Sequence, residues 1–439
     1  MNLNRQILRL AIPSIVSNIT VPLLGLCDTA ISGHLGSEVF LAAISVGTVW
    51  INALFLTMIF LRMGTTGLTA QAYGAGDKVG AGVLLTRGLL LAGGIGLLFI
   101  VAQRPLLALL SHVVGASPEV SASASEYFSI VILSAPAMLM TMVANGWFIG
   151  MQTSVQPMVI AVTTNVLNIL LSLLAVFGLK LGFAGTAAGT CVANWLGLLL
   201  VVILLRRFGR CGFPGASVCR AFKGGGWGRF FNVNIYIFLR SFCIMGVTVS
   251  LAAFGARLGN DVLAGNAVMM QFFTFFAYFM DGFGFAAEAL TGKAKGASDS
   301  RLLRSVIKRM LAWGALVTGI FALCYAVGAS GISTLITDNL HTLQIIENQK
   351  LWVVLTPVCG GLAFILDGVF IGLTRTRSMM LSTLLGLVSF LVVAGAKLLP
   401  GAAGLWLAFD SYLLVRGVVL GCALFVKKCN KGKEVSKIS

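Results

Sequence analysis

Five acidic residues fall inside apolar stretches of this chain: Asp28, Asp281, Glu288, Asp367 and Asp410. Burying a carboxylate in hydrocarbon is costly enough that an acid in such a place points to function. Asp28 comes first, in 19-ITVPLLGLCDTAISGHLG-36, six residues after Pro22. A proline inside a helix removes a hydrogen bond and frees carbonyls one turn earlier, which makes Pro22 a candidate hinge. A carboxylate in a low-dielectric pocket can follow physiological pH, loading a proton on one face of a membrane and releasing it on the other. The competing account is a structural aspartate held by a neighbouring helix, with Asn18 as a candidate partner. The cost of burial favours the first account.

Neutral polar residues recur at helical spacing in 165-NVLNILLS-172. Asn165 and Asn168 lie at i, i+3, and Ser172 continues the face at i+4 from Asn168. Thr190 sits in 185-GTAAGTCVAN-194, a small-residue pattern suited to close helix packing. Interhelical hydrogen bonding explains Asn165 and Thr190 as well as a cavity does, whereas Asn168 has the better claim to a cavity. In the second half, Asp281 and Glu288 lie two turns apart on one helix face. Asp367 sits where the first half has Asn145. For Asp281 and Asp367, each followed by glycine, coupling and a structural role at a helix bend both stay open; Glu288, near the end of its span, reads as structural. Asp410 and Arg416 are six apart on poorly matched faces, which argues against a direct pair. Arg62 and Arg240 sit nearer the cytoplasmic ends of their spans and are expected to snorkel. The run 271-QFFTFFAYFM-280 either lines an apolar cavity for flat aromatic cations or simply packs.

These residues need a scaffold, and composition names its class. Apolar residues make up 58% of the chain and charged ones 10%, with mean hydropathy +0.97, the profile of an all-α polytopic membrane protein. With about 20 apolar residues per span, helices are expected near 7–31, 40–73, 81–101, 123–151, 156–178, 183–206, 231–255, 263–292, 303–327, 346–374, 379–400 and 401–426. The start, MNLNRQILRLAIPSIVSN, reads as the first membrane helix and not a removable signal. Most of the 31 Lys+Arg residues fall on one side, in alternate connections and at both ends, so the positive-inside rule puts both termini in the cytoplasm. The net charge of +17 is thus a topology signal with some attraction to membrane lipid, and no nucleic-acid partner is expected. The nine cysteines include no CxxC, and Cys211 and Cys219, in one polar loop, read as free thiols. The three histidines, His34, His112 and His341, fall in expected loops without partners. Neither a metal site, a cofactor nor an enzyme's catalytic group is expected.

The chain also repeats itself. The stretch 68-LTAQAYGAGD-77 recurs as 290-LTGKAKGASD-299 with six identities in ten, 34-HLGSEV-39 as 257-RLGNDV-262, and 146-GWFIG-150 as 368-GVFIG-372, while Pro136 has a counterpart in Pro357. The three stretches recur in the same order at a step of 222 or 223 residues. Two six-helix lobes follow, 1–206 and 231–426, with a basic linker at 207–230 and a basic tail at 427–439. Six is even, so the repeats are parallel, an arrangement suited to alternating access.

Together with SNITVPLLGLCDTAISGHLG, FLRMGTTGLTAQAYGAGD, LNILLSLL, GARLGNDVLAGNAVMMQ, DGFGFAAEALTGKAKG and LDGVFIGLTRT, this pattern resembles the multidrug and toxic compound extrusion (MATE) family, and most of all its DinF-like branch. The resemblance covers essentially the whole chain. It implies two lobes forming a V around a central cavity, in a monomer of the bacterial inner membrane that exports organic cations in exchange for protons or sodium. It also implies that protonation of Asp28 drives bending at Pro22, and that Asn168 and Thr190 belong to the same N-lobe site. Many relatives carry aspartate where this chain has Ser172. That leaves Asp28 as the only acid of the site and weakens the case for sodium at Asp28, Asn168 and Thr190. The coupling ion expected is H+, with Na+ as the alternative. A lipid-linked oligosaccharide flippase shares the wider architecture, but the three intramembrane arginines, Arg62, Arg240 and Arg416, read as dispersed, which counts against a pyrophosphate clamp.

Overall fold

The computed structural model describes residues 2–33, 38–113, 117–209, 226–337, 339–396 and 398–435, with side chains at 28–29, 32–33, 38, 112–113, 209, 260, 335, 340 and 425–435 excepted. Among these residues there is no strand. Among the described residues, twelve helical spans are long and apolar enough to cross a membrane. Apolar side chains such as Leu98, Val101, Leu323 and Val327 are exposed at the surface, as a lipid solvent allows. The protein is an integral membrane protein.

The helices run α1 Leu3–Gly33, α2 Glu38–Thr57, α3 Phe60–Gly74, α4 Lys78–Val101, α5 Gln103–Val113, α6 Pro118–Val131, α7 Ala135–Gly150, α8 Val155–Leu173 and α9 Phe183–Gly209. They continue with α10 Trp227–Arg257, α11 Asn260–Gly296, α12 Ser300–Ile336, α13 Leu340–Asn348, α14 Lys350–Gly372, α15 Thr376–Ala396 and α16 Gly401–Val435. The second span comprises α2 and α3, and the fourth comprises α6 and α7 across a 3-10 turn at Ile132–Ser134. The short helix α5 lies in a stretch expected as a loop, and α13 begins in another, ahead of the span expected from 346. His341 therefore sits in a helix, at the start of α13, where Asn339 caps its amide. His34 and the side chain of His112 lie outside the described residues. α1 stays helical through both Pro13 and Pro22. α16 continues past the expected boundary at 426.

Contacts divide the chain into two units, Ile12–Phe230 and Met1–Ala11 with Phe231–Ser439. The first turns of α1 thus group with the later half, where Asn4 accepts from the Arg309 guanidinium at 3.1 Å and the Trp313 indole at 3.4 Å. Within each unit the most buried span is the fourth of its six, ending in α7 in one and formed by α14 in the other.

The sequence repeat is a structural one. Gly76 and Ser298 both take positive φ, at 73° and 55°, and the next residues, Asp77 and Asp299, both cap a helix start. Asp77 accepts from Gly80 N at 2.7 Å; Asp299 accepts from Arg301 N and Leu302 N at 2.9 and 2.8 Å. At the other matched turn, Gln152 and Thr374 share positive φ. Glycine contacts keep the same step of 222: Gly146 lies against Arg62 O where Gly368 lies against Gly284 O, and Gly150 meets Thr66 O, Thr69 and Ala70 N where Gly372 meets Glu288 O, Thr291 and Gly292 N. A side chain at any of these four would push two helices apart.

Candidate functional site

In the first unit, α8 and α9 pack closely because α9 carries glycine at the points of approach. A Cβ on Gly189 would meet Ser172 N and Oγ at 2.6 Å, and one on Gly185 would meet the Ala175 backbone at 3.0 Å. This closeness gathers three of the expected site residues. The buried Asn168 carboxamide oxygen accepts from Ser172 Oγ at 3.1 Å and from Thr190 Oγ1 at 3.3 Å. Thr190 also lies 3.0 Å from Thr186 O, one turn back. One turn before Asn168, Asn165 Nδ2 donates to Thr20 Oγ1 at 2.8 Å and fastens α8 to α1. The α1 residue meeting α8 in that bond is thus two positions before Pro22. Asp28 lies further along α1, and its side chain is outside the described residues. Across the unit, Asn194 Nδ2 donates to Ser134 Oγ at 3.1 Å. All the donors and acceptors of this cluster are neutral.

The second unit holds a different cluster. Arg240 of α10 reaches Asp367 Oδ2 of α14 at 2.5 Å, and Arg416 of α16 bonds the same oxygen. Arg416 also donates to Tyr412 OH at 2.9 Å, with its guanidinium 5.0 Å from that ring's centroid. All are buried. Two expectations are corrected here. Arg240 does not snorkel: a buried carboxylate on the facing helix outweighs the pull of the interface. The intramembrane arginines are not all dispersed either, since two converge on Asp367. That carboxylate is fixed by two guanidiniums, so it is the counter-charge of a three-helix lock, and the bend account is not needed for it.

Asp281 is half-buried on α11, and Glu288 is buried on the same helix, beside the packing glycine Gly372. Asp410 does not pair with Arg416, as its spacing foretold; Oδ1 lies 2.8 Å from Thr356 Oγ1. No group of three or more His, Cys, Asp or Glu residues able to hold a metal occurs among the described residues. Cys27, Cys191, Cys243, Cys324, Cys359 and Cys422 are free thiols; Cys211 and Cys219 lie outside the described residues. What the spacing of residues missed was the pairing of Arg240 and Arg416 with Asp367. Its only trace was that three ionisable residues fall in three spans of one half.

Comparison with known proteins agrees with this architecture. The MatE family model matches residues 13–174 and 237–395, one segment in each repeat. DNA damage-inducible protein F of Escherichia coli K12 is 38% identical over 418 residues, 95% of this chain and 91% of that protein. Multidrug resistance protein MdtK of Edwardsiella ictaluri is 25% identical across 92% of this chain and 91% of its own length. A crystal structure of a MATE protein in a bent conformation superposes with TM-score 0.85 at 18% identity, covering 100% of this chain and 98% of that one. One in a straight conformation gives 0.84 at 19% identity, covering 98% of both. With its repeat, its twelve spans and a family match over most of its length, this chain belongs to the MatE family, on the branch of DNA damage-inducible protein F.

Proposed function

We propose that this protein is a secondary active multidrug efflux antiporter that exports organic, amphipathic cations in exchange for protons by alternating access. It works as a monomer in the bacterial inner membrane, with both termini in the cytoplasm. Family membership supports efflux, and relatives include multidrug resistance protein MdtK. The observation that carries proton coupling is the neutrality of the Asn168–Ser172–Thr190 cluster. Its carboxamide oxygen already accepts from two hydroxyls, and Ser172 brings no charge. A sodium ion wants several oxygens with net negative charge; a proton needs one carboxylate, and Asp28 supplies it.

In this reading Asp28 takes up a proton from the outer side and releases it to the cytoplasm, while α1 bends about Pro22. The Asn165–Thr20 bond supports a mechanical link between that helix and the polar cluster. Relatives have been solved in bent and straight conformations, which supports bending as a mode available to the fold. Each pH unit supplies about 1.4 kcal/mol per proton, so one-for-one exchange of a proton for a monovalent cation is limited to about tenfold accumulation per unit. Arg240 and Arg416 are both held by Asp367 and do not form a free basic clamp for a pyrophosphate, which counts against the flippase reading.

The test uses inside-out vesicles that hold a respiratory pH gradient, reported by a gradient-sensitive dye. Ethidium or a phosphonium cation added to wild-type vesicles is expected to collapse part of the gradient, and Asp28→Asn vesicles to stay silent. Silence of the wild type towards every cation tried would contradict the proposal.

A further inference from the structure

The later unit buries another carboxylate, at Asp410, against a threonine hydroxyl. Asp410, on α16, is 4% exposed. Its Oδ1 lies 2.8 Å from Thr356 Oγ1 on α14, and its Oδ2 is buried without a partner. Thr356 Oγ1 is also 2.8 Å from Trp352 O, one turn back. A hydroxyl has one hydrogen and cannot serve both acceptors at once. A protonated Asp410 resolves the conflict: its O–H donates to Thr356 Oγ1, and the threonine hydrogen goes to Trp352 O. When Asp410 ionises, the threonine hydrogen swings to Oδ1 and Trp352 O loses that bond. Each protonation state therefore has its own hydrogen-bond arrangement across α14 and α16.

The surroundings leave Asp410 without a fixed counter-charge. On its own helix, Arg416 and Tyr412 are bonded to each other, and Arg416 also binds Asp367. From α14 the titratable neighbour is the Cys359 thiol, one turn beyond Thr356, and Asp367 is held by the arginines. From α15, Ser389 bonds Ser411, the residue after Asp410. Among the described residues no arginine or lysine bonds Asp410. Thr356 directly precedes Pro357, which lacks the N–H that would tie it to Val353 O, so α14 can bend where it holds the acid. The step of 222 sets Ala188 opposite Asp410 in the first unit and Ser134 opposite Thr356, so this acid belongs to one repeat alone.

We propose that Asp410, with Thr356 as its hydroxyl relay beside Pro357, is a second proton-binding site, which the transporter loads and unloads once per cycle. Its role in transport rests on the proton-coupled reading above; its protonation does not. With two protons entering per monovalent cation leaving, exchange moves one net charge.

Infrared difference spectra of the purified protein test protonation directly. In an Asp28→Asn background, which removes that site's own band, the protonated-carboxyl stretch should appear as pH falls and should vanish when Asp410→Asn is added, whose amide keeps a donor for Thr356. Thr356→Val should keep the band but shift the pH at which it appears. A titrating band unchanged in Asp410→Asn, or unmoved by Thr356→Val, overturns the proposal. In proteoliposomes, ethidium should evoke a current in wild type, and Asp410→Asn should lose that current with protons moved per ethidium falling twofold. Unchanged current and stoichiometry in Asp410→Asn overturn the transport role. If wild type moves no protons, the antiport reading fails, and the infrared titration alone still decides whether Asp410 exchanges its proton.

Discussion

The two units carry matching spans at a common sequence step, yet the polar clusters that join their helices differ in charge. In the first, Asn168, Ser172, Thr190, Asn165 and Asn194 make neutral hydrogen bonds. In the second, Arg240, Asp367 and Arg416 form an ionic lock across α10, α14 and α16. The step of 222 takes Asn145 to Asp367 and Asn194 to Arg416, so an amide at each first-unit position faces an ionised group in its repeat. Neutral hydrogen bonds of about 1 kcal/mol can be exchanged as helices move, whereas splitting a buried ion pair leaves bare charges. The difference fits a first unit that rearranges around a polar cluster and a second unit held rigid at its lock.

The largest effect should come from breaking that lock. Asp367→Asn leaves two buried guanidiniums without their counter-charge and is expected to cost about 3–5 kcal/mol, seen as a large fall in unfolding temperature in detergent. Replacing all three members with apolar residues of similar volume should restore most of the loss. Asn145→Ala, at the matching place in the first unit, should cost far less; an equal loss would erase the contrast.

Gly150→Ala and Gly372→Ala sharpen the comparison from the side of sameness. Each sets a Cβ against the backbone of the second span of its own unit, so both should destabilise by about 1–3 kcal/mol and by similar amounts. A loss confined to one would mean that the repeat does not extend to packing.

Asn168→Ala removes the acceptor shared by Ser172 and Thr190 and should cost about 1–3 kcal/mol, with efflux falling more steeply than folded yield in a dye-accumulation assay. The smallest effect is a gain. Ser298 occupies the left-handed turn that glycine fills at Gly76, so Ser298→Gly should stabilise by about 1 kcal/mol in the same unfolding measurement.

Much of this was legible in the residues. Spans follow from hydropathy because a bilayer leaves the backbone few alternatives. The repeat was visible in GAGD against GASD, and the turns at Gly76–Asp77 and Ser298–Asp299 give its physical basis. The shared face of Asn168 and Ser172 was legible in their spacing, whereas Thr190 beside them was implied only by the family resemblance. What stayed hidden depends on rotation about a helix axis relative to helices far along the chain. Depth made Arg240 look like a snorkelling residue; only its facing across to Asp367, in a distant span, made it a lock. Thr356 and Asp410 likewise lie two spans apart, and the single hydroxyl hydrogen they share with Trp352 is a matter of distances, not of composition.

The most direct test of proton-coupled efflux through the first unit uses purified protein in proteoliposomes with ethidium as substrate. One series has an imposed pH gradient and no sodium; the other has a sodium gradient at equal pH. The account predicts transport driven by the pH gradient, lost in Asp28→Asn, and absent under the sodium gradient alone. Sodium-driven transport that persists in Asp28→Asn would contradict it.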